Sequence, residues 1–375
     1  ASDSGAYAHP LSRYHDRFEF KNKECTEYEA WWDMETLPKL NYEKDASLTD
    51  DILGYAGKWI SPPYNADGWR LDVAADLGHS EEYNHLFWKK FRKTVKDISR
   101  DVLITAEHYE DSSAWLKGDE WDSIMNYRAF MDPVTYFFTG IEKHGDAKDL
   151  SLKGNAEIFA STLTYHSALM PGSSLLSAMN QLDNHDHSRF LTRTNGITGR
   201  YRELGEKAAC EGIDKNVLRQ AAGFMYFWPG APCLYYGDEA GVCGFTDPDN
   251  RRCYPWGRED KELLDYFIKL GQLRGRLGFI KQASCKIIYA GGGIIAFSRF
   301  TEDERVTAVF SMADIPKKIS LPIWQCGYPG YKKKEELKVL LENGPDGYDF
   351  SEKSLTSVYG ILDTDIAPGG FILFA

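Results

Sequence analysis

The sequence predicts an α/β chain of repeated strand-helix units followed by a small all-β domain. Two observations carry that prediction. From about residue 66, short apolar runs alternate with amphipathic helical patterns, the signature of βα units. Beyond about residue 280 the chain changes to short β-rich runs separated by Gly, Asp and Lys. Residues 1–45 are polar, aromatic and irregular, and read as an excursion between core elements.

The elements follow in order. A strand through Gly68, Trp69, Leu71 and Val73 precedes a helix opening near Ser80, whose buried side carries Phe87, Phe91, Val95 and Ile98. Val102–Ile104 forms the next strand. Further strands are expected at Ser123–Met125, Leu175–Leu182 and Cys233–Tyr235. Between the last two, Val217, Leu218, Ala221, Ala222 and Met225 share one helical face, and Pro229 and Gly230 end that helix. A final helix carries Leu263, Leu264, Phe267 and Leu270. The runs CKIIYAGGGIIAFSRF, VTAVFSM, KKISLPI and GGFILFA then supply the β domain.

Composition narrows the partners. The 375 residues are 43% hydrophobic, enough to fill a sizeable core. A net charge of -12 without a basic patch argues against nucleic acid or an anionic membrane as partner. No apolar run approaches the length of a membrane span, and the first residues, ASDSGAYAHP, lack the parts of a signal peptide. Seven scattered cysteines without a CxxC pair suggest reduced thiols and a cytoplasmic location.

In βα proteins functional side chains collect where strands end, and three acids sit at such places. Asp72 ends GWRLDV, two residues after Arg70, so both side chains point to the same face of an extended strand. A guanidinium there favours the ionised carboxylate that a nucleophile requires. Glu107 closes VLITAE, where desolvation raises the pKa of a carboxyl toward that of a general acid. Asp186 lies in QLDNHDHSRF, residues 181–190. That stretch alone favours a metal site through His185 and His187, with acid/base chemistry through Asp183 and Asp186 or a solvated loop as the alternatives. Any one acid after a strand is often only an N-cap. Three at the same end of one sheet would converge, and a carboxyl pair about 5 Å apart is the equipment of a retaining glycosidase.

The motifs GWRLDVA, ITAEHYED and LDNHDHSR resemble, in order, three catalytic motifs of the α-amylase family, glycoside hydrolase family 13. LPKLN at 37–41 is similar to a segment that marks neopullulanases, cyclomaltodextrinases and maltogenic amylases, and GAPCLYYGDEAG with DPDNRRCYPW resembles the eighth-strand region of that subgroup. The resemblance implies a (β/α)8 TIM-type barrel, with strands four to eight in this chain and the first three absent. Residues 1–45 are then part of the excursion after strand three, 46–280 a partial catalytic barrel and 281–375 a C-terminal β-sandwich domain. It implies Asp72 as nucleophile, Glu107 as acid/base, and Asp186 as the group that binds sugar hydroxyls and stabilises the transition state. Arg70 would fix Asp72, His185 would bond the same sugar and Tyr109 would stack on it. Arg189 is left as a structural or supporting charge.

The implied activity is retaining hydrolysis of α-1,4-glucosidic bonds in maltodextrins, cyclomaltodextrins, pullulan or starch. Alternatives are an α-glucan transferase using the same intermediate, and a catalytically incompetent, sugar-binding scaffold. The mechanism needs no cofactor or catalytic metal, although wider-family members often hold structural calcium. Two features depart from the subgroup. Ala75 and Asp76 stand where VANE is usual, and His108-Tyr109 where Trp-His is usual. The family's Asp followed by Asn-His, which should precede LPKLN, is not found. Five strands cannot close a barrel, so a further N-terminal segment or a partner copy is expected to complete it. Gel filtration with thermal unfolding checks this expectation, and a monodisperse, cooperatively unfolding monomer would oppose it.

Overall fold

The computed structural model describes residues 5–350 and 353–375, in two compact units, 1–124 and 125–375. In the first unit, α1 (Ala46–Ile60), β1 (Gly68–Leu71), α2 (Glu81–Ile98), β2 (Leu103–Ala106) and β3 (Ser123–Ile124) follow the polar N-terminal stretch. Asp45 caps α1 by accepting from Ser47 N–H at 2.9 Å, and Ser80 caps α2 by accepting from Tyr83 N–H at 3.2 Å. β1, β2 and β3 form a parallel sheet in chain order. Phe87, Phe91 and Val95 of α2 are buried, as the helical spacing predicts, with Trp88 beside them, whereas Ile98, expected on the same side, is exposed at the last position of the helix.

In the second unit α3 (Asp132–Thr139), α4 (Ala156–Ala168), α5 (Gly172–Ser177), β4 (Met179–Asn180), α6 (Phe190–Arg193), α7 (Tyr201–Leu204), α8 (Lys215–Phe227), β5 (Ala231–Pro232) and α9 (Lys261–Arg276) continue the alternation. Met125 bridges Met179 in parallel, and β4 pairs in parallel with β5. Three strand expectations are corrected. The first strand stops at Leu71 because Val73 takes left-handed backbone angles, φ 47° and ψ 39°. The expected strand Leu175–Leu182 is helical to Ser177, with only Met179–Asn180 extended; a short apolar run fits a buried helix or a strand equally. The expected strand Cys233–Tyr235 pairs two residues earlier, at Ala231–Pro232, and Cys233 only donates one last bond to Asn180 O at 2.7 Å.

The β domain holds β6 (Ser284–Gly291), β7 (Ile294–Phe300), β8 (Arg305–Ser311), β9 (Lys317–Leu321), β10 (Glu335–Gly344), β11 (Gly347–Asp349), β12 (Lys353–Ser357), β13 (Leu362–Ile366) and β14 (Phe371–Phe374). Seven of these form one sheet, and β9 pairs with β13. Alternation divides the side chains between two cores. Ile294, Ala296 and Val309 pack with Ile319, Leu321, Leu362 and Ile366 on one face. Ile295, Phe297, Phe310 and Phe371 pack on the other with Leu218, Ala222 and Phe224 of α8. A bulge between Val339 and Leu341 moves β10 from the first core to the second. Among the described residues no helix is long and apolar enough to cross a membrane.

The approach of α8 to β14 requires a missing side chain. A Cβ at Gly223 would stand 2.3 Å from Cε1 of the Phe371 ring, which itself stacks on Phe310 at 4.3 Å. Gly223→Ala is therefore expected to destabilise the second unit by about 1–3 kcal/mol, against the small gain that alanine brings to an unobstructed helix. Chemical denaturation measures this; a neutral or stabilising result would show that the interface can yield.

Candidate active site

The pairing of β1 with β2 sets the site. Arg70 lies opposite Thr105 and Leu71 opposite Ala106, and the next residue on each strand is an acid. Glu107 N–H still donates to Leu71 O at 2.8 Å, so Asp72 and Glu107 leave adjacent strands at the same level and the same end. Arg70 spans them. Its Nη1 bonds the Asp72 carboxylate and its Nη2 lies 3.1 Å from Glu107 Oε2.

The two carboxyls face different surroundings. The Asp72 side chain is 70% exposed and that of Glu107 only 11%. Burial raises the Glu107 pKa above the usual carboxylate value, and the neighbouring Asp72 adds to the rise. Val73 N–H, donating to Glu107 Oε2 at 3.0 Å, and the Arg70 charge oppose it. The net direction is upward. One carboxyl thus holds its proton to higher pH than an ordinary carboxylate while the other stands open to solvent beside it, an arrangement suited to acid/base chemistry.

Two further residues hold this arrangement. Val73 is β-branched, and its left-handed backbone costs on the order of 1–3 kcal/mol, yet that turn is what aims its N–H at Glu107. Asn84, buried on α2, places Nδ2 within 3.1 Å of the carbonyls of Ala74, Ala75 and Leu77. Its Oδ1 accepts from Trp115 Nε1 at 2.8 Å. The loop leaving Asp72 is thereby tied to the helix that follows it. Tyr109 lies in the loop after β2, 36% exposed, and His108 packs edge-on to Trp115.

In the second unit, Asp186 and His185 lie together on the loop after β4. Their side chains approach at 3.5 Å, each more than a third or close to a third exposed, and Arg251 comes within 3.8 Å of Asp186. His187 is different. It is fully buried against Tyr127 and His144, and burial drives its pKa down to about 2. Among the described residues no group of three His, Cys, Asp or Glu side chains is arranged to hold a metal ion; His185 is partly exposed, whereas His187 is enclosed. Asp183 accepts from Phe190 N–H and shares a buried region with Asp238 and Arg189.

A family model for the α-amylase catalytic domain matches residues 11–306. The chain belongs to the α-amylase family. Neopullulanase 2 of Thermoactinomyces vulgaris is 31% identical over 84% of this chain and 49% of its own length. A cyclomaltodextrinase of Thermoanaerobacter pseudethanolicus is 31% identical over 78% of this chain and 48% of its own. The chain therefore spans about half the length of these curated relatives. Among solved structures, a debranching enzyme of Nostoc punctiforme superposes with a TM-score of 0.77 at 21% identity, covering 98% of this chain and 71% of the other. The cyclic α-maltosyl-(1→6)-maltose hydrolase of Arthrobacter globiformis gives 0.72 at 23%, covering 97% and 69%. At such identities the likeness establishes shared fold. Family and fold together support the expected barrel-type α/β architecture with a C-terminal β domain.

Within this α-amylase family chain, the structure brings together Asp72, Glu107 and Arg70 in one unit and Asp186 with His185 in the other. Val73 and Asn84 escaped the sequence reading. Asn84 carries a signal, since it falls on the buried face of α2 three residues before Phe87, where a polar residue needs a partner. Val73 carries none, because β-branching argues for continued strand.

The raised Glu107 pKa has a consequence for stability. Between the unfolded value near 4.5 and the higher folded value, the native state binds more protons than the unfolded one, so stability falls as pH rises through that interval. Glu107→Gln removes the titration and can still accept from Val73. The stability advantage of the variant is expected to grow as pH rises from 4 and then level off. A gap independent of pH, measured by thermal unfolding, would contradict the desolvation of Glu107.

Proposed function

We propose that the chain carries the catalytic machinery of a retaining glycoside hydrolase that cleaves α-1,4-glucosidic bonds in maltodextrins, cyclomaltodextrins, pullulan or starch. The observation that supports this most is the Arg70-bridged pair of Asp72 and Glu107, one exposed and one desolvated with a raised pKa. The names of the relatives, neopullulanase and cyclomaltodextrinase, point to the same substrate class.

In this reading the Asp72 carboxylate attacks the anomeric carbon while Glu107 protonates the departing glycosidic oxygen. Glu107, now ionised, then takes a proton from water, and the hydroxide so formed releases the sugar from Asp72 with net retention. Arg70 orients the nucleophile and balances the negative charge that Asp72 carries before attack and Glu107 carries while the sugar is bonded to Asp72. Asp186 and His185 bind hydroxyls of the cleaved unit, and Tyr109 stacks on a sugar ring. No cofactor enters the chemistry; calcium, where carried, would stabilise the fold. The proposed cytoplasmic location rests on the cysteine pattern of the sequence, seven scattered residues, odd in number.

Assays on cyclomaltodextrin, pullulan and starch test the assignment. Asp72→Asn is expected to lower turnover by about a thousandfold or more while oligosaccharide binding stays within a few-fold. Intact protein should release the α-anomer first. Undiminished turnover in the variant, or initial release of the β-anomer, would refute the mechanism.

A further inference from the structure

The loop that presents His185 and Asp186 is held through its backbone by residues far along the chain. Asn184 folds the segment into a tight turn: its Oδ1 accepts from Asp186 N–H at 2.9 Å and its carbonyl accepts from His187 N–H at 3.3 Å. The turn is then gripped from outside. Asn250, fully buried, donates from Nδ2 to Asn184 O at 2.9 Å and to His187 O at 2.7 Å. Thr246 Oγ donates to Asp186 O at 2.6 Å, between those two anchor points.

The chemistry of the donors fixes their orientation. Carbonyl oxygens only accept, so both amide protons of Asn250 are committed to the turn. Asn250 is itself immobilised. Its own carbonyl accepts from Arg189 Nε at 2.9 Å, and Arg189 Nη1 donates to Asp238 at 2.9 Å and to Tyr236 O at 2.7 Å. Gly244 lets this segment come close, since a Cβ there would stand 2.7 Å from the Asn250 Cα. A buried amide and a hydroxyl thus hold the carbonyls of Asn184, Asp186 and His187 in a four-residue turn, with a buried ion pair behind the amide, while the His185 and Asp186 side chains stay partly exposed.

We propose that Asn250 and Thr246 are positioning residues that fix the Asn184–His187 backbone and with it the directions of the Asp186 carboxylate and the His185 ring. The proposal rests on the reading of those two side chains as sugar-binding groups. A group that stabilises charge in a transition state is effective only when held in place beforehand, so loosening the turn reduces turnover more than ground-state binding.

Thr246→Val, nearly isosteric, removes one anchor, and Asn250→Asp replaces two donors by acceptors facing carbonyl oxygens. Amide hydrogen exchange of peptide 181–190, compared with peptides from β7 and β14, gives a readout independent of activity. Exchange in the turn is expected to rise about tenfold in each variant with β7 and β14 unchanged. With maltodextrin as substrate, kcat should fall about tenfold or more with KM changed less than threefold, and Thr246→Ser should restore both. Unchanged exchange in the turn would overturn the proposal, as would exchange rising equally along the whole second unit. If Asn250→Asp fails to fold, Thr246→Val decides alone. Absence of glucan cleavage by the unaltered protein would count against the proposed function, while the exchange result would still decide whether the clamp exists.

Discussion

The in-register parallel pairing of Gly68–Leu71 with Leu103–Ala106 is the constraint on which the candidate chemistry depends. Side-chain direction alternates along a strand, so a shift of one residue would turn Glu107 away from Asp72 and separate both from Arg70. With the observed register, a single guanidinium reaches both carboxyls and a single backbone N–H reaches the more buried one. The contrast between the acids is therefore a property of the sheet. Glu107 lies under the loop that leaves β1, and Asp72 at its open edge.

Two of the loops bearing candidate acids, those of Asp72 and Asp186, are each secured by a buried asparagine from another element. Asn84 ties the loop after Asp72 to α2, and Asn250 ties the turn around Asp186 to the segment after β5. An asparagine suits this work because its two amide protons can hold two carbonyls without adding charge to the site. Buried, such groups are costly to leave unpaired, so they fix a loop more firmly than an exposed contact does. Asp72 and Asp186 themselves stay accessible, since their loops are held through their backbones.

Much of this was legible in the sequence. The alternation of apolar runs and amphipathic helices marks the βα order, and Phe87, Phe91 and Val95 fall on the buried face their spacing requires. The acids at strand ends, with Arg70 two residues before Asp72, identify the pair that the structure brings together. What the sequence concealed has local causes. Leu175 and Leu176 belong to a short helix, because six residues are too few for periodicity to separate helix from strand. Val73 ends β1 by a turn its side chain disfavours, so propensity points the wrong way there. His187, a loop histidine by its sequence, is instead fully buried against Tyr127 and His144, a packing role that no local pattern announces.

The central claim is that Asp72 forms a covalent bond to the sugar. Mass spectrometry after incubation with a fluorinated maltosyl donor, whose first step is fast and second step slow, tests it most directly. A single added sugar mass on the peptide containing Asp72, lost on prolonged exposure to an acceptor, is the predicted result. Turnover of natural glucan without any such adduct under conditions that inactivate the enzyme, or an adduct on a different carboxylate, would contradict it.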